Sequence, residues 1–102
     1  MKIINIVFDG DFSDVDLIEV PDYIAENIEE ITQDFLDWVV QPVNRVLFTK
    51  IIHTDNEAKE CLSVGTAEFI WWLRKFEIDS NDTITLLAEH VSFHPEYPSA
   101  DF

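Results

Sequence analysis

Hydrophobic and polar positions alternate along this chain with two different periods. Residues 2–8, KIINIVF, form a run rich in β-branched side chains that stops at Asp9-Gly10, a strong turn dipeptide. A second strand is predicted from about Val15 to Val20, and the polar DGDFSDVD between the two allows a hairpin. The period then changes. Ile24, Ile28, Ile31, Phe35, Trp38 and Val39 recur at spacings of three and four, which marks one face of a helix over residues 22–39. Pro21 suits the first helical position, and Pro42 is expected to end the element.

Beyond Pro42, RVLFTKIIH (residues 45–53) reads as a strand, central in the sheet because its apolar content is continuous. The stretch TDNEAKECLSV supports two assignments. As a hairpin, Asp55-Asn56 make the turn and residues 58–64 return as a strand. As a helix, Thr54-x-x-Glu57 is a capping box. The hairpin is preferred. Thr66 is a suitable N-cap for a second helix, AEFIWWLRKF, on which Phe69, Trp72, Leu73 and Phe76 share an inward face. Trp71 then projects outward. After the turn signal DSND, TITLLAEHV (residues 83–91) is a final strand, and residues 92–102 form an extended aromatic tail that docks on the body. The order β-β-α-β-β-α-β predicts a single α+β domain, with a mainly antiparallel sheet and two helices packed on one face.

Charge alters this picture. The 102 residues include 21 acids and six bases, for a net charge of −15. Eleven acids against Lys2 give residues 1–44 a charge of −10, and six acids with no base give residues 76–102 a charge of −6. Four acids and five bases leave the middle near neutral. On the first helix Asp22, Glu26, Glu29, Glu30, Asp34 and Asp37 occupy the side opposite the apolar stripe, and no lysine or arginine stands among them. Like charges four apart cost a few tenths of a kcal/mol each, so the apolar face must hold this helix. A chain this acidic is not expected to bind nucleic acid directly, because such binding needs clustered cations. It favours basic partners and speeds their encounter.

Catalytic and metal signatures are weak. Asp9, Asp11, Asp14 and Asp16 resemble part of a calcium loop, but the glycine position holds Asp14 and the bidentate glutamate position holds Val20. His90 and His94 have the spacing of two zinc ligands on a helix, which Pro95 disfavours. His53 lies in an apolar strand. Cys61, the one cysteine, excludes an internal disulfide, fits a reducing compartment, and is more readily a buried structural residue than a nucleophile paired with a histidine. Two glycines cannot build a phosphate loop. No enzyme activity, cofactor or metal is expected. No apolar run is long enough to span a membrane, the N-terminus reads as a strand and not as a signal peptide, and a cytoplasmic location is expected.

In size, acidity and α+β pattern, though in no motif, the chain resembles bacterial immunity proteins and proteins that mimic the charge of DNA. The function expected is an acidic protein that inhibits or neutralises a basic protein partner. Glu26, Glu29, Glu30, Asp34 and Asp37 would steer the encounter, and Trp71 would act as an anchor. The alternative is a structural or regulatory subunit, for example a homodimer, that oligomerises through the second helix and the aromatic tail. Trp71 could instead be covered within the monomer by Phe93, Tyr97 or Phe102.

Overall fold

The structure, a computed structural model, describes residues 1–45, 49–54, 57–62, 64–79 and 81–102, with the backbone alone described for 49–54 and 57–62. It is the α+β domain that the periodicities predict. Strands β1 (Lys2–Val7) and β2 (Val15–Val20) pair as an antiparallel hairpin, with Ile4 opposite Ile18. The turn at its tip has φ of 54° at Asp9 and 69° at Gly10, and the Asp11 N–H donates to the Phe8 carbonyl at 3.0 Å. Positive φ at both central positions is the conformation that Asp-Gly pairs favour in hairpins.

Between β2 and the second half of the chain lie three helices, α1 (Asp22–Glu26), α2 (Ile28–Val39) and α3 (Pro42–Arg45). The single helix expected over 22–39 is therefore broken at Asn27, whose φ of −115° and ψ of 23° are not helical. The cause is local. The Asn27 side-chain amide donates to the Tyr23 carbonyl at 2.8 Å and its N–H to the Ile24 carbonyl at 3.3 Å, which closes one helix. Its own carbonyl then accepts from Ile31 N–H at 2.9 Å and opens the next. Asparagine competes with the helix backbone for such bonds. Pro42 starts α3 instead of simply ending the previous helix, and Asn44 ties α3 back through a 2.9 Å bond to the Trp38 carbonyl.

Strands β3 (Thr49–Thr54) and β4 (Glu57–Leu62) form an antiparallel hairpin, as preferred from the sequence. Its expected turn, Asp55-Asn56, lies outside the described residues. The expectation of a central strand over 45–53 fails, because Arg45 is helical and β3 pairs only with β4 among the described residues. Helix α4 (Thr66–Phe76) follows, then β5 (Thr85–Val91) and β6 (Ser99–Asp101). The four-stranded sheet has the order β5-β2-β1-β6; β6 lies parallel to β1, and the other pairings are antiparallel.

One face of this sheet, Ile4, Ile6, Ile18 and Val20, meets Ile24, Ile28, Ile31 and Phe35 of α1 and α2 and Phe69 and Leu73 of α4 in a continuous core. The other face is covered by the connection from β5 to β6, which crosses from one sheet edge to the other. Asn5, fully buried in β1, fastens this crossing. Its side-chain amide donates to the carbonyls of His94 and Tyr97 at 2.9 and 3.2 Å, and the His94 N–H donates to Asn5 Oδ1 at 3.0 Å. The predicted aromatic tail is thus built into the fold. Phe102 stacks on Phe8 at 5.0 Å and meets Phe69 edge-on at 4.9 Å.

Candidate functional site

The break at Asn27 divides the acids that the sequence places on one face. Asp22 and Glu26 belong to α1, and both find cations at the start of the chain, in Met1 and in Lys2 of β1. The Met1 amino group is 2.9 Å from Asp22, and Lys2 Nζ is 3.6 Å from Glu26. No base stands near these acids in sequence, and the two cations come to them only because the chain folds the start of β1 against α1.

On α2 the carboxylates Glu29, Glu30, Asp34 and Asp37 are all exposed. At about 100° per residue, Asp34 and Glu30 lie nearest Trp38 and hence nearest α4; Glu29 lies at the far edge, with Asp37 between. Asp37 accepts from Gln33 Nε2 at 2.9 Å. Glu77, the C-cap of α4, joins this group from the neighbouring helix. Burial, then the charges of Asp34 and Glu30, push the Glu77 carboxyl above the usual glutamate range. Sequence reasoning missed Glu77, because only the packing of α4 beside α2 brings it to Asp34.

The cost of this cluster depends on pH. Glu77 has a raised folded-state pKa, so the folded protein holds its proton longer than the unfolded chain does. Stability therefore falls as pH climbs from the ordinary glutamate value through the raised one, and the full cost is present at neutral pH. Glu77→Gln is expected to stabilise the protein at pH 7 by a few tenths of a kcal/mol, about the size of one relieved like-charge pair. Thermal melts of the two proteins should converge below pH 4.

Beside the carboxylates lies an aromatic cluster. The ring centroids of Trp38 and Trp71 are 6.2 Å apart, those of Trp38 and Phe76 5.5 Å, and those of Trp71 and Phe76 6.5 Å. Trp71 points outward as expected, 42% exposed, with Lys75 Nζ 5.3 Å from its ring centroid. Phe76, expected inward, is 50% exposed: it continues the buried stripe of Phe69, Trp72 and Leu73, but in the last turn, where it closes on Trp38 and Trp71. The tail does not reach Trp71 through the contacts proposed for it. Phe102 packs on Phe8, Phe35 and Phe69, Phe93 meets Phe12, and Tyr97 stacks with His94.

The aspartates of the first turn serve the fold. Asp11 accepts from the N–H and hydroxyl of Ser13 at 3.1 and 2.6 Å. Asp14 Oδ1 is 2.7 Å from His90 Nδ1, a hydrogen bond that holds the imidazole pKa above its ordinary value. Asp16 joins three elements. It accepts from the His90 N–H at 3.2 Å and from the Thr66 hydroxyl at 2.5 Å, so β2, β5 and α4 meet at one carboxylate. The two bonds explain two local departures. His90 has φ of 55°, at a point where β5 carries an irregular register against β2. Thr66, expected as the N-cap, is the first helical residue; Gly65 is the cap, and its N–H donates to Glu68 at 3.0 Å.

His94 is turned away from His90, toward Glu96 at 3.0 Å. Among the described residues no three histidine, cysteine or acidic side chains are placed to hold a metal ion. The side chains of His53 and Cys61 lie outside the described residues; the backbone register sets them against Ala58 and Lys50. No described helix is long and apolar enough to cross a membrane. No protein family model, curated protein or solved structure matches the chain, so the reading of this surface rests on its own chemistry.

Proposed function

We propose that the protein is an acidic binding protein that docks on a basic protein partner and occludes the cationic surface that partner uses. A toxin for which this chain is the immunity protein, or a nucleic-acid-binding protein whose phosphate-binding cations these carboxylates occupy, has the required chemistry. The observation that carries the reading is the convergence of Glu30, Asp34 and Glu77 across two helices. Burial, with the charges of Asp34 and Glu30, disfavours the ionised form of Glu77, and a cation docked on this face would offset those charges. The neighbouring Trp38, Trp71 and Phe76 supply apolar area where a docked partner would exclude water.

The apolar surface supports a second reading. Trp71 and Phe76 of α4 are exposed, as are Val40 and Val43 at the end of α2 and in α3, which suits a subunit contact that includes α4. The aromatic rings of the tail make contacts within the monomer, so the support for this reading comes from the helical side.

Salt separates the two. The screening length falls from about 30 Å at 0.01 M salt to about 3 Å at 1 M. Basic proteins captured on the immobilised chain at low salt should elute as salt rises. The double variant Glu30→Lys, Asp34→Lys should slow their association about tenfold or more at low salt and differ little at high salt. Capture that is indifferent to both salt and charge reversal would sink the proposal and favour the apolar contact.

A further inference from the structure

We infer that the open edge of β1 at residues 2–4 is a strand-docking site for an extended, basic segment of a partner protein. The inference rests on the basic-partner reading and adds where, and by which bonds, the partner chain is held.

The ladder between β1 and β6 explains why this edge is open. The Asn5 N–H donates to the Pro98 carbonyl at 2.9 Å, the Phe102 N–H to the Val7 carbonyl at 2.9 Å, and the Asp9 N–H to the Phe102 carbonyl at 3.2 Å. Odd-numbered residues of β1 therefore turn their backbone groups toward β6, and the period of two puts the N–H and carbonyl of Ile3 on the same edge. The next rung would need an N–H at position 98 to reach the Ile3 carbonyl. Pro98 has none. The chain before it leaves the edge in a turn closed by the Tyr97 N–H on the His94 carbonyl at 3.1 Å. The ladder stops there, and among the described residues no strand pairs with the Ile3 rung on this edge.

Space and charge both suit an added strand. A cleft of about 490 Å³ lies at this edge, bounded by Ile3, Tyr97 and Pro98. It runs through Ala25, Glu26 and Pro98 into a second cleft of about 390 Å³ beside the break at Asn27. Along the pair stand five carboxylates, Glu19, Glu26, Glu29, Glu30 and Glu96, against Lys2 and the Met1 amino group. Glu26, Glu29 and Glu30 line the helical side, whereas Glu19 stands opposite Ile3 in β2 on the other face of the sheet. Successive side chains of an added strand point to alternate faces, so each face offers them a carboxylate. That selects lysine or arginine on the incoming strand. It disfavours a second copy of this chain, whose net charge is −15.

The test uses a blocked octapeptide alternating lysine and valine, and the same peptide with every backbone amide N-methylated. The two share charge and differ in backbone donors. At low salt the parent peptide should slow exchange of the Ile3 amide at least tenfold by NMR, and the methylated peptide should bind at least tenfold more weakly. Glu96→Lys, which leaves Glu30, Asp34 and Glu77 in place, should weaken the parent peptide about tenfold. Equal binding of the two peptides, an unmoved Ile3 amide at saturation, or an unchanged affinity in Glu96→Lys would overturn strand docking and leave the acidic-surface reading standing. Failure of both peptides to bind at low salt would overturn both readings. A dimer that the peptide competes apart would overturn the inference in favour of a second copy of the chain.

Discussion

Phe35→Ala is expected to cost about 3–5 kcal/mol, in the range found when a buried aromatic side chain is truncated. Phe35 is fully buried, and its ring meets those of Phe69, Trp72 and Phe102 at 5.2, 5.3 and 5.7 Å, each edge-on. It thus joins α2 to α4 and to the residue after β6. The loss combines the transfer free energy of the ring, the void it leaves, and edge-to-face contacts worth about 0.5–1.5 kcal/mol each beyond their area. Against a total stability of about 5–15 kcal/mol, such a loss brings the fold close to its limit. Urea titration followed by tryptophan fluorescence measures it. A cost below about 1.5 kcal/mol would mean that the neighbouring rings collapse into the space, and the aromatic core would be looser than its geometry implies.

The second large effect is expected from Asn5→Ala, at about 2–4 kcal/mol, since a fully buried side chain and the half-buried backbone groups it bonds lose several hydrogen bonds at once. The carbonyls of His94 and Tyr97 and the N–H of His94 all bond to this one side chain. Alanine keeps the strand conformation and supplies none of those bonds. The damage should also be local. Hydrogen exchange should accelerate first at the His94 and Tyr97 amides, while β1 and β2 amides keep most of their protection. Uniform acceleration through the sheet would show that Asn5 supports the domain as a whole and not the crossing in particular.

Asn5 also shows where sequence reading reaches its limit. Within KIINIVF it looks like a polar interruption of an apolar run, and nothing near it in sequence explains its burial. Its partners lie some ninety residues away. The local signals fared better: the Asp9-Gly10 turn, the apolar stripe from Ile24 to Val39, and the outward Trp71 all follow from periods of two and 3.6. The break at Asn27 was less legible, because an apolar stripe continues across it in nearly the right phase. What betrays it is an asparagine competing for backbone bonds. The candidate site follows the same division. Exposure of Glu30 and Asp34 could be read from their helical positions. Their meeting with Glu77, and the cations that Lys2 and the Met1 amino group bring to α1, depend on which elements become neighbours.

The parallel pairing of β1 with β6, Asn5 beside Ser99, has a consequence for how the chain assembles. The β1–β2 hairpin needs only a short loop, so it can form early. The outer edge of β1, the cover over Asn5 and the ring of Phe102 against Phe35 all wait for the far end of the sequence. Closing a loop of nearly the whole chain costs entropy before any of those contacts repay it, and such non-local pairings slow folding. Until then β1 presents a long apolar edge to anything nearby. A chain whose hairpin and helices had docked while its last strand was still free would therefore be the form most exposed to misassociation.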